Sequence, residues 1–284
     1  MDKFRVCIVA DVDVPQFFIH HQVFQEVGLG LWYSFLSLGI DCDMKVNELA
    51  ADRVNILLGY HNLSLAPNLG GFRSYRYIPY QLEQLSGCED YFGDRHVLGE
   101  IFAGSHAIWD FSMANVEFLK RMGYAAKHLP IGYHPRLQTI SQNGAKDIDV
   151  FFAGCNTQRR AEFFGQMGST TRLRVLHVFG VYGKQRDDLL ARSRVVLNIH
   201  RYPRGLLEAT RIAYALNNGC FVLSETCVDN PYPTINLRFA ELPELAPLCE
   251  YYAARPAEAE SLASTWRDTF QRDYSFVELL KQVL

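Results

Sequence analysis

The chain has 284 residues, 49% of them hydrophobic by type and 21% charged, with a formal net charge of −3. That balance is that of a soluble globular protein long enough for two ordinary domains, and it excludes a disordered or collagen-like chain. The weak negative charge supplies no bulk attraction for nucleic acid or an anionic membrane, and no apolar run is long enough to span a bilayer.

Phe4-Arg-Val-Cys-Ile-Val-Ala10 reads as a first strand of the kind found inside a parallel sheet, and Asp11 to Gln16 as its loop. Met1-Asp-Lys-Phe-Arg leads into that strand and not into a signal peptide, so a cytoplasmic location is expected. Helical spacing from about Gln22 to Leu38 puts Val23, Val27, Leu31 and Phe35 on one face, with Gly28 and Gly30 weakening the middle and Gly39 ending it. Short strands are expected at Asp43 to Val46 and Arg53 to Gly59, then a Gly- and Pro-containing loop from Leu65 to Ser74. Arg76 to Leu82 is extended, and Pro79 predicts an edge position or a break there. A helix follows Val97, and Ser112 is placed to cap another from Met113 to Met122. Arg136 to Lys146 is polar, contains Asn143-Gly144, and reads as a linker.

The second half alternates more clearly. Strands are expected at Asp149 to Gly154, Arg174 to Phe179, Val195 to His200 and Cys220 to Glu225. Helices lie between them at Arg160 to Met167, Lys184 to Arg194 and Leu206 to Asn217, the last stopped by Gly219. Strands separated by helices of this length imply parallel βαβ units, whose ligands lie beyond the carboxyl ends of the strands, where Gly154, His200 and Glu225 fall. The tail from Pro243 is helical in pieces, at Glu244 to Tyr252, Pro256 to Phe270 and Phe276 to Leu284. Seven cysteines without a Cys-x-x-Cys pair read as reduced thiols, not as disulfides or zinc ligands.

Three segments together resemble the group-1, family-4-like glycosyltransferases. They are His128-Leu-Pro-Ile-Gly-Tyr-His134, Val150-Phe-Phe-Ala-Gly154 with Arg159 and Arg160, and Ala191 to Glu225 with Leu207-Glu-Ala209 inside it. Val178 to Asp187 adds a Val-Phe-Gly-Val-Tyr-Gly-x-x-Arg-Asp motif similar to small bacterial members, and the resemblance is good from about Trp109 onward. It implies an α/β chain of GT-B architecture, two facing Rossmann-like domains with parallel sheets. On this pattern residues 1–135 form the acceptor domain, 148–270 bind the nucleotide sugar, and 271–284 form a helix returning to the first domain. The implied activity is transfer of a sugar from a UDP- or GDP-type donor to a glycan or other hydroxyl acceptor, without metal or other cofactor, as in polysaccharide biosynthesis. One position departs from the pattern: Tyr214 stands where the family has the second Glu of its Glu-x7-Glu pair, and Glu208 lies nearly two turns earlier.

The candidate donor residues are Gly154, Arg159, Arg160, Tyr182, Asn198, His200, Glu208, Arg211 and Glu225. Departure of a diphosphate builds negative charge, which basic side chains and a helix N-terminus near Leu206 could stabilise. Gly154 would let backbone approach a phosphate, and Arg159 or Arg160 could pair with it bidentately. Glu208 and Arg211, at i and i+3, share a helix side, and an ordinary ion pair explains them equally. Tyr182, with Phe179 and Val181, could meet a nucleobase or simply pack. Gly132, Tyr133 and His134 would lie at the interdomain cleft. His61, Glu83 and Asp110 are candidates for the general base, with His20 and His21 behind them. Tyr60, Tyr75, Tyr77, Tyr80 and Trp109 could hold sugar rings or form core. Asp11 and Asp13 mimic the acidic pocket of a receiver domain without its Lys and Thr partners. An epimerase or phosphorylase of the same fold, and a non-catalytic nucleotide- or glycan-binding protein, are the competing readings. No basic stripe supports a nucleic-acid partner.

Overall fold

The computed structural model describes residues 2–12, 19–85 and 95–284; Asp13, most of the loop after the first strand, and Cys88 lie outside them. The chain divides into two compact units, Met1–His134 with Tyr274–Leu284, and Pro135–Asp273.

The first unit is built on a parallel sheet of β1 (Phe4–Ile8), β2 (Cys42–Val46), β3 (Val54–Leu58), β4 (Tyr77–Gln81), β5 (Ile108–Asp110) and β6 (Ala126–His128), in the order β2-β1-β3-β4-β5-β6. Every residue of β1, β3 and β4 is buried, the polar Arg5, Asn55 and Gln81 included, which fits their mainly apolar character. Three helices follow strands: α1 (Gln25–Ser37), α2 (Arg95–Ala103) and α3 (Met113–Arg121). Val27, Leu31 and Phe35 of α1 are buried as the periodicity requires, but Val23 falls in a preceding 3-10 turn, Ile19–Phe24, and is exposed. Gly28 has a packing reason. A Cβ there would come within 2.9 Å of Met44 Sδ and 3.4 Å of Val6 Cγ1, so the bare backbone lets α1 lie close on the sheet. Ser112 caps α3 as expected, accepting from Asn115 N at 3.3 Å.

Pro79 does not mark an edge, because β4 lies between β3 and β5. Tyr77 O accepts from His106 N, so the two-residue alternation turns the nitrogen of Pro79 to the same, β5-facing side. The β5 ladder begins only at Tyr80, opposite Trp109, and the missing N–H therefore costs no rung. Tyr60, Tyr77, Tyr80 and Trp109 are core and not sugar platforms. All four are at most 1% exposed, and the tyrosine hydroxyls donate inward to Gln81 Oε1, Ile101 O and Leu129 O.

The unit is completed by α9 (Phe276–Val283), whose buried Phe276, Leu280 and Val283 recur at helical spacing and pack on α1. Each such side chain contributes roughly 1.5–3 kcal/mol by burial. Tyr133 N donates to Tyr274 O, and Phe276 N donates to Tyr133 O. A Cβ on Gly132 would lie 2.6 Å from Phe276 Cα. Within this unit Gly132 and Tyr133 thus seat the returning helix, while His134 is buried with its Nε2 3.5 Å from Ser37 Oγ.

The second unit has a parallel sheet of β7 (Ile148–Ala153), β8 (Val175–Val178), β9 (Ser193–Asn198), β10 (Val222–Glu225) and β11 (Arg238–Ala240), in the order β11-β10-β9-β7-β8. Its helices are α4 (Gln158–Thr170), α5 (Gly183–Ala191), α6 (Ala209–Asn217), α7 (Leu245–Ala253) and α8 (Pro256–Asp273). Gly219 adopts φ 65°, the left-handed stop that its place after α6 predicts. The stretch expected as a linker is bound to that helix end. Asn218 Oδ1 accepts from Thr139 N and Ile140 N at 2.8 and 2.9 Å, and Asn218 Nδ2 donates to Leu137 O at 3.1 Å.

Candidate functional site

In the second sheet the chain leaves β7 for β8 on one side and returns to β9 on the other, so β7 and β9 enclose a topological switch point. Crevices at the carboxyl ends of such strands are where doubly wound sheets hold ligands. Gly154 follows β7 there, Asn198 to His200 close β9, and Glu225 ends β10. Thr157 Oγ1 caps α4 by accepting from Arg160 N at 3.3 Å, which starts that helix beside the crevice and delivers Arg159 and Arg160 from its first turn.

These residues form one hydrogen-bonded system. Arg159 pairs bidentately with Glu225 and donates from Nη1 to His200 O at 3.1 Å, while Glu225 Oε2 accepts from His200 N at 3.0 Å. Glu208 Oε2 accepts from Asn198 Nδ2 at 2.7 Å and lies 2.9 Å from His200 Nδ1. Arg211 Nη1 donates to Asn198 Oδ1 at 2.8 Å. Arg160 is buried and donates from Nη2 to Ile199 O at 2.7 Å and from Nη1 to Cys155 O at 3.0 Å, with Glu208 Oε1 3.6 Å from its Nη2. The guanidinium groups of Arg160 and Arg211 each lie 5.0 Å from the centroid of the Phe152 ring.

Burial alone would push a proton onto Glu208, but the His200 hydrogen bond and charge, with Arg211 and Asn198, outweigh it and hold the carboxyl below its ordinary range. Burial likewise works against a charged His200, and the Glu208 hydrogen bond and charge, with Glu225 behind them, reverse it and raise the imidazole. Burial lowers Arg160 and Arg211, Glu208 opposing it in both, and each guanidinium remains charged at neutral pH. Three guanidinium groups against two carboxylates leave an excess of positive charge suited to an anion.

Most sequence-predicted donor residues therefore meet, though not in the roles expected of each. Gly154 leaves room for the Phe152 and Arg211 side chains and not, as expected, for a phosphate alone: a Cβ there would lie 2.9 Å from the Phe152 ring and 3.1 Å from Arg211 Nη2. Arg159 and Arg160 are engaged by protein acceptors. The helix expected from Leu206 starts at Ala209, because Leu207 N donates to Asp229 O and Val228 N to Gly205 O, holding residues 205–207 out of the helix. Tyr182 is the residue before α5 and faces the charge of Arg211. Tyr214 OH meets Asp187 Oδ2 and Thr139 Oγ1, both at 2.9 Å, and Arg186 lies over its ring at 4.2 Å. Asp187, Thr139, Asn218 and Ser224, whose Oγ accepts from Asn198 Nδ2 at 3.0 Å, were not singled out as site residues. Of these Asp187, Asn218 and Ser224 fall within segments that carry the resemblance, and Thr139 does not.

In the first unit, Glu83 follows β4 and Asp110 ends β5. Asn115 Nδ2 donates to Glu83 O at 2.8 Å and to Asp110 Oδ1 at 3.2 Å, and Asp110 Oδ1 also accepts from Ser112 N at 2.9 Å. His61 lies beyond β3, at that sheet's own switch point, with burial pushing its imidazole down to about 4. His20 and His21 belong to the 3-10 turn before α1. Among the described residues no cluster of three or more His, Cys, Asp or Glu is arranged to hold a metal ion, and no helix is long and apolar enough to cross a membrane.

Residues 150–284 match a family model described as glycosyl transferase-like. This part of the chain is similar to a glycosyl transferase-like domain. No curated protein matches the sequence. Solved structures give the fold of the whole: HepE of Anabaena, determined with UDP and glucose, superposes with a TM-score of 0.64 at 10% identity over 100% of this chain and 98% of its own. AviGT4, a glycosyltransferase of avilamycin A biosynthesis, gives 0.59 at 14% identity over 100% and 96%. A variant of S. aureus TarM, determined with UDP and sugar ligands, gives 0.60 at 10% identity over 90% of this chain; the chain spans 57% of TarM. The architecture is GT-B, with two parallel α/β sheets, and the crevice of charged residues lies inside the glycosyl transferase-like domain.

Proposed function

We propose that the second unit binds a nucleoside-diphosphate sugar and that the protein transfers the sugar to a hydroxyl group of a glycan or similar acceptor. The observation that carries this is the gathering of Arg159, Arg160 and Arg211 with Glu208 and His200 at the switch point of a parallel sheet. UDP in the HepE and TarM structures supports a UDP-type donor by analogy of fold. In the transfer the bond from the anomeric carbon to the diphosphate oxygen breaks as the acceptor oxygen bonds to that carbon. The acceptor proton passes to a base, for which Asp110, Glu83 and His61 are the candidates. The diphosphate leaves with increased negative charge, and Arg159 and Arg211 offer guanidinium groups for it, so that no metal is required of the mechanism.

A thermal-shift screen of UDP, GDP and dTDP and their sugars, followed by turnover against hydroxyl acceptors, tests the proposal. Stabilisation by one nucleotide series and acceptor-dependent release of its diphosphate are expected; absence of both sinks it. The fixed Tyr214 hydroxyl, at the position where the resembling family carries Glu, favours a second reading in which the site binds without transferring. Nucleotide-sugar binding with no turnover on any acceptor would select that reading.

A further inference from the structure

His200 links the two halves of the charged system, and no other residue of it does so through both main chain and side chain. Its N–H donates to Glu225 Oε2 and its carbonyl accepts from Arg159 Nη1, while its imidazole meets Glu208 through Nδ1 at 2.9 Å. The ring is 1% exposed, and the loop before α6 closes on it so tightly that a Cβ on Gly205 would come within 2.6 Å of its Cγ. Nε2 is buried, with the Thr226 main chain beside the ring. An apolar side chain of similar volume would fill this space but leave Glu208 Oε2 without the Nδ1 contact. Glu208 shows what the imidazole does. Its Oε2 is held from two sides, by Asn198 Nδ2 and His200 Nδ1, whereas Oε1 has the Arg160 guanidinium 3.6 Å away and the side chain is 22% exposed. Two bonds to one oxygen hold that side of the carboxylate, while the other oxygen has only the Arg160 guanidinium beside it at 3.6 Å on a side chain that is part exposed.

We propose that His200 is a positioning residue of the donor site, holding Glu208 so that its Oε1 accepts a hydrogen bond from a hydroxyl of the bound nucleotide sugar. The inference rests on the donor reading of this crevice. It separates two parts of the ligand: the diphosphate is left to the guanidinium groups, and the sugar hydroxyl to the carboxylate that His200 holds.

The test uses the full chain and isothermal titration with UDP and UDP-glucose, and with GDP and GDP-mannose. His200→Leu removes the donor to Glu208, His200→Gln carries its amide one carbon beyond the Nδ1 position, and His200→Asn can still supply an N–H, because its Nδ2 sits on Cγ as Nδ1 does. The Leu and Gln variants are expected to bind free nucleotide within about 3-fold of wild type and the nucleotide sugar about 10-fold more weakly, the loss of one charge-assisted hydrogen bond, with Asn restoring most of it. Combined with Glu208→Gln, either variant should add less than about 3-fold to the loss from Glu208→Gln alone, since both act on one contact. Multiplying losses, equal weakening by Leu, Asn and Gln, or unchanged nucleotide-sugar affinity in Leu and Gln overturns the inference while the donor reading stands. If His200→Leu does not fold, the Asn and Gln pair decides by the same comparison. A wild-type protein that binds none of the four probes overturns the donor reading and this inference with it.

Discussion

Replacement of Arg211 by Ala is the sharpest perturbation of the proposed site. The guanidinium donates to Asn198 Oδ1 at 2.8 Å and lies 5.0 Å from the Phe152 centroid, with Gly154 making room for its Nη2. In the ligand-free protein two costs follow: a buried amide oxygen loses its donor, about 1–3 kcal/mol, and a cation–π contact of about 0.5–2 kcal/mol disappears. Relief of repulsion from Arg160, one of the influences that lower Arg211, offsets part of both. A net loss of about 1–2 kcal/mol lowers the melting temperature by several degrees without unfolding the chain at 25 °C. Function should fall further. If the guanidinium meets the departing diphosphate, one charge-assisted hydrogen bond of about 1.5–3 kcal/mol is missing where charge develops, which lowers kcat/KM by about 10- to 100-fold. The assay is diphosphate release with saturating acceptor, paired with a thermal melt and a far-UV spectrum for fold. Arg211→Lys restores the charge but not the planar fork and should fall between. Wild-type kcat/KM in a folded Arg211→Ala protein would refute the assignment, as would a loss confined to acceptor affinity.

Three further outcomes concern the scaffold. Asn218→Ala strips Thr139 N and Ile140 N of their acceptor at a residue 2% exposed, so chemical denaturation should show about 2–5 kcal/mol lost. Gly132→Ala sets a Cβ 2.6–2.7 Å from the Phe276 and Tyr274 main chain, which has no rotamer to escape into; amide exchange at Phe276 should accelerate and the melting temperature fall. Asp149 is held below the ordinary carboxylate range first by its hydrogen bond from Arg174, with burial opposing and Arg194 contributing. A depressed folded value means stabilisation that is present above the unfolded value of about 3.9 and lost as pH falls through the folded one, so denaturation midpoints of wild type and Asp149→Asn should differ at pH 7 and converge at acid pH below that window.

The alternation of strands and helices was legible because each element states its period locally. Val27, Leu31 and Phe35 mark a helix face, the mainly apolar run in β3 marks a strand buried on both faces, and Gly219 marks a helix end by the one conformation that excludes most other residues. The errors came where a distant partner overrides local preference. Leu206 and Leu207 have helical character, yet Asp229 and Val228 hold that stretch by main-chain bonds. Pro79 carries an edge signal, yet the short β5 leaves its nitrogen nothing to pair with. Neither partner can be inferred from the residues flanking the position.

The same limit applies inside the crevice and bears on how its chemistry works. Strand ends placed Gly154, Asn198, His200 and Glu225 at one end of the sheet from sequence alone, since the topology of parallel βαβ units dictates that. The pairing did not follow: Arg159 and Glu225 are 66 residues apart, and only the fold reveals that they pair with each other. A site whose cations are already satisfied by carboxylates exchanges partners on binding, so the gain from a diphosphate at Arg159 is the difference between two charge-assisted pairs and not the whole of one. Arg211 is in the opposite position. Its hydrogen bond to Asn198 is to a neutral amide oxygen, which a diphosphate oxygen outcompetes as a charged acceptor, so a guanidinium lowered by burial and by its neighbour Arg160 gains most from an arriving anion. Charge response on binding should therefore concentrate at Arg211, with Glu225 retaining Arg159 beside it.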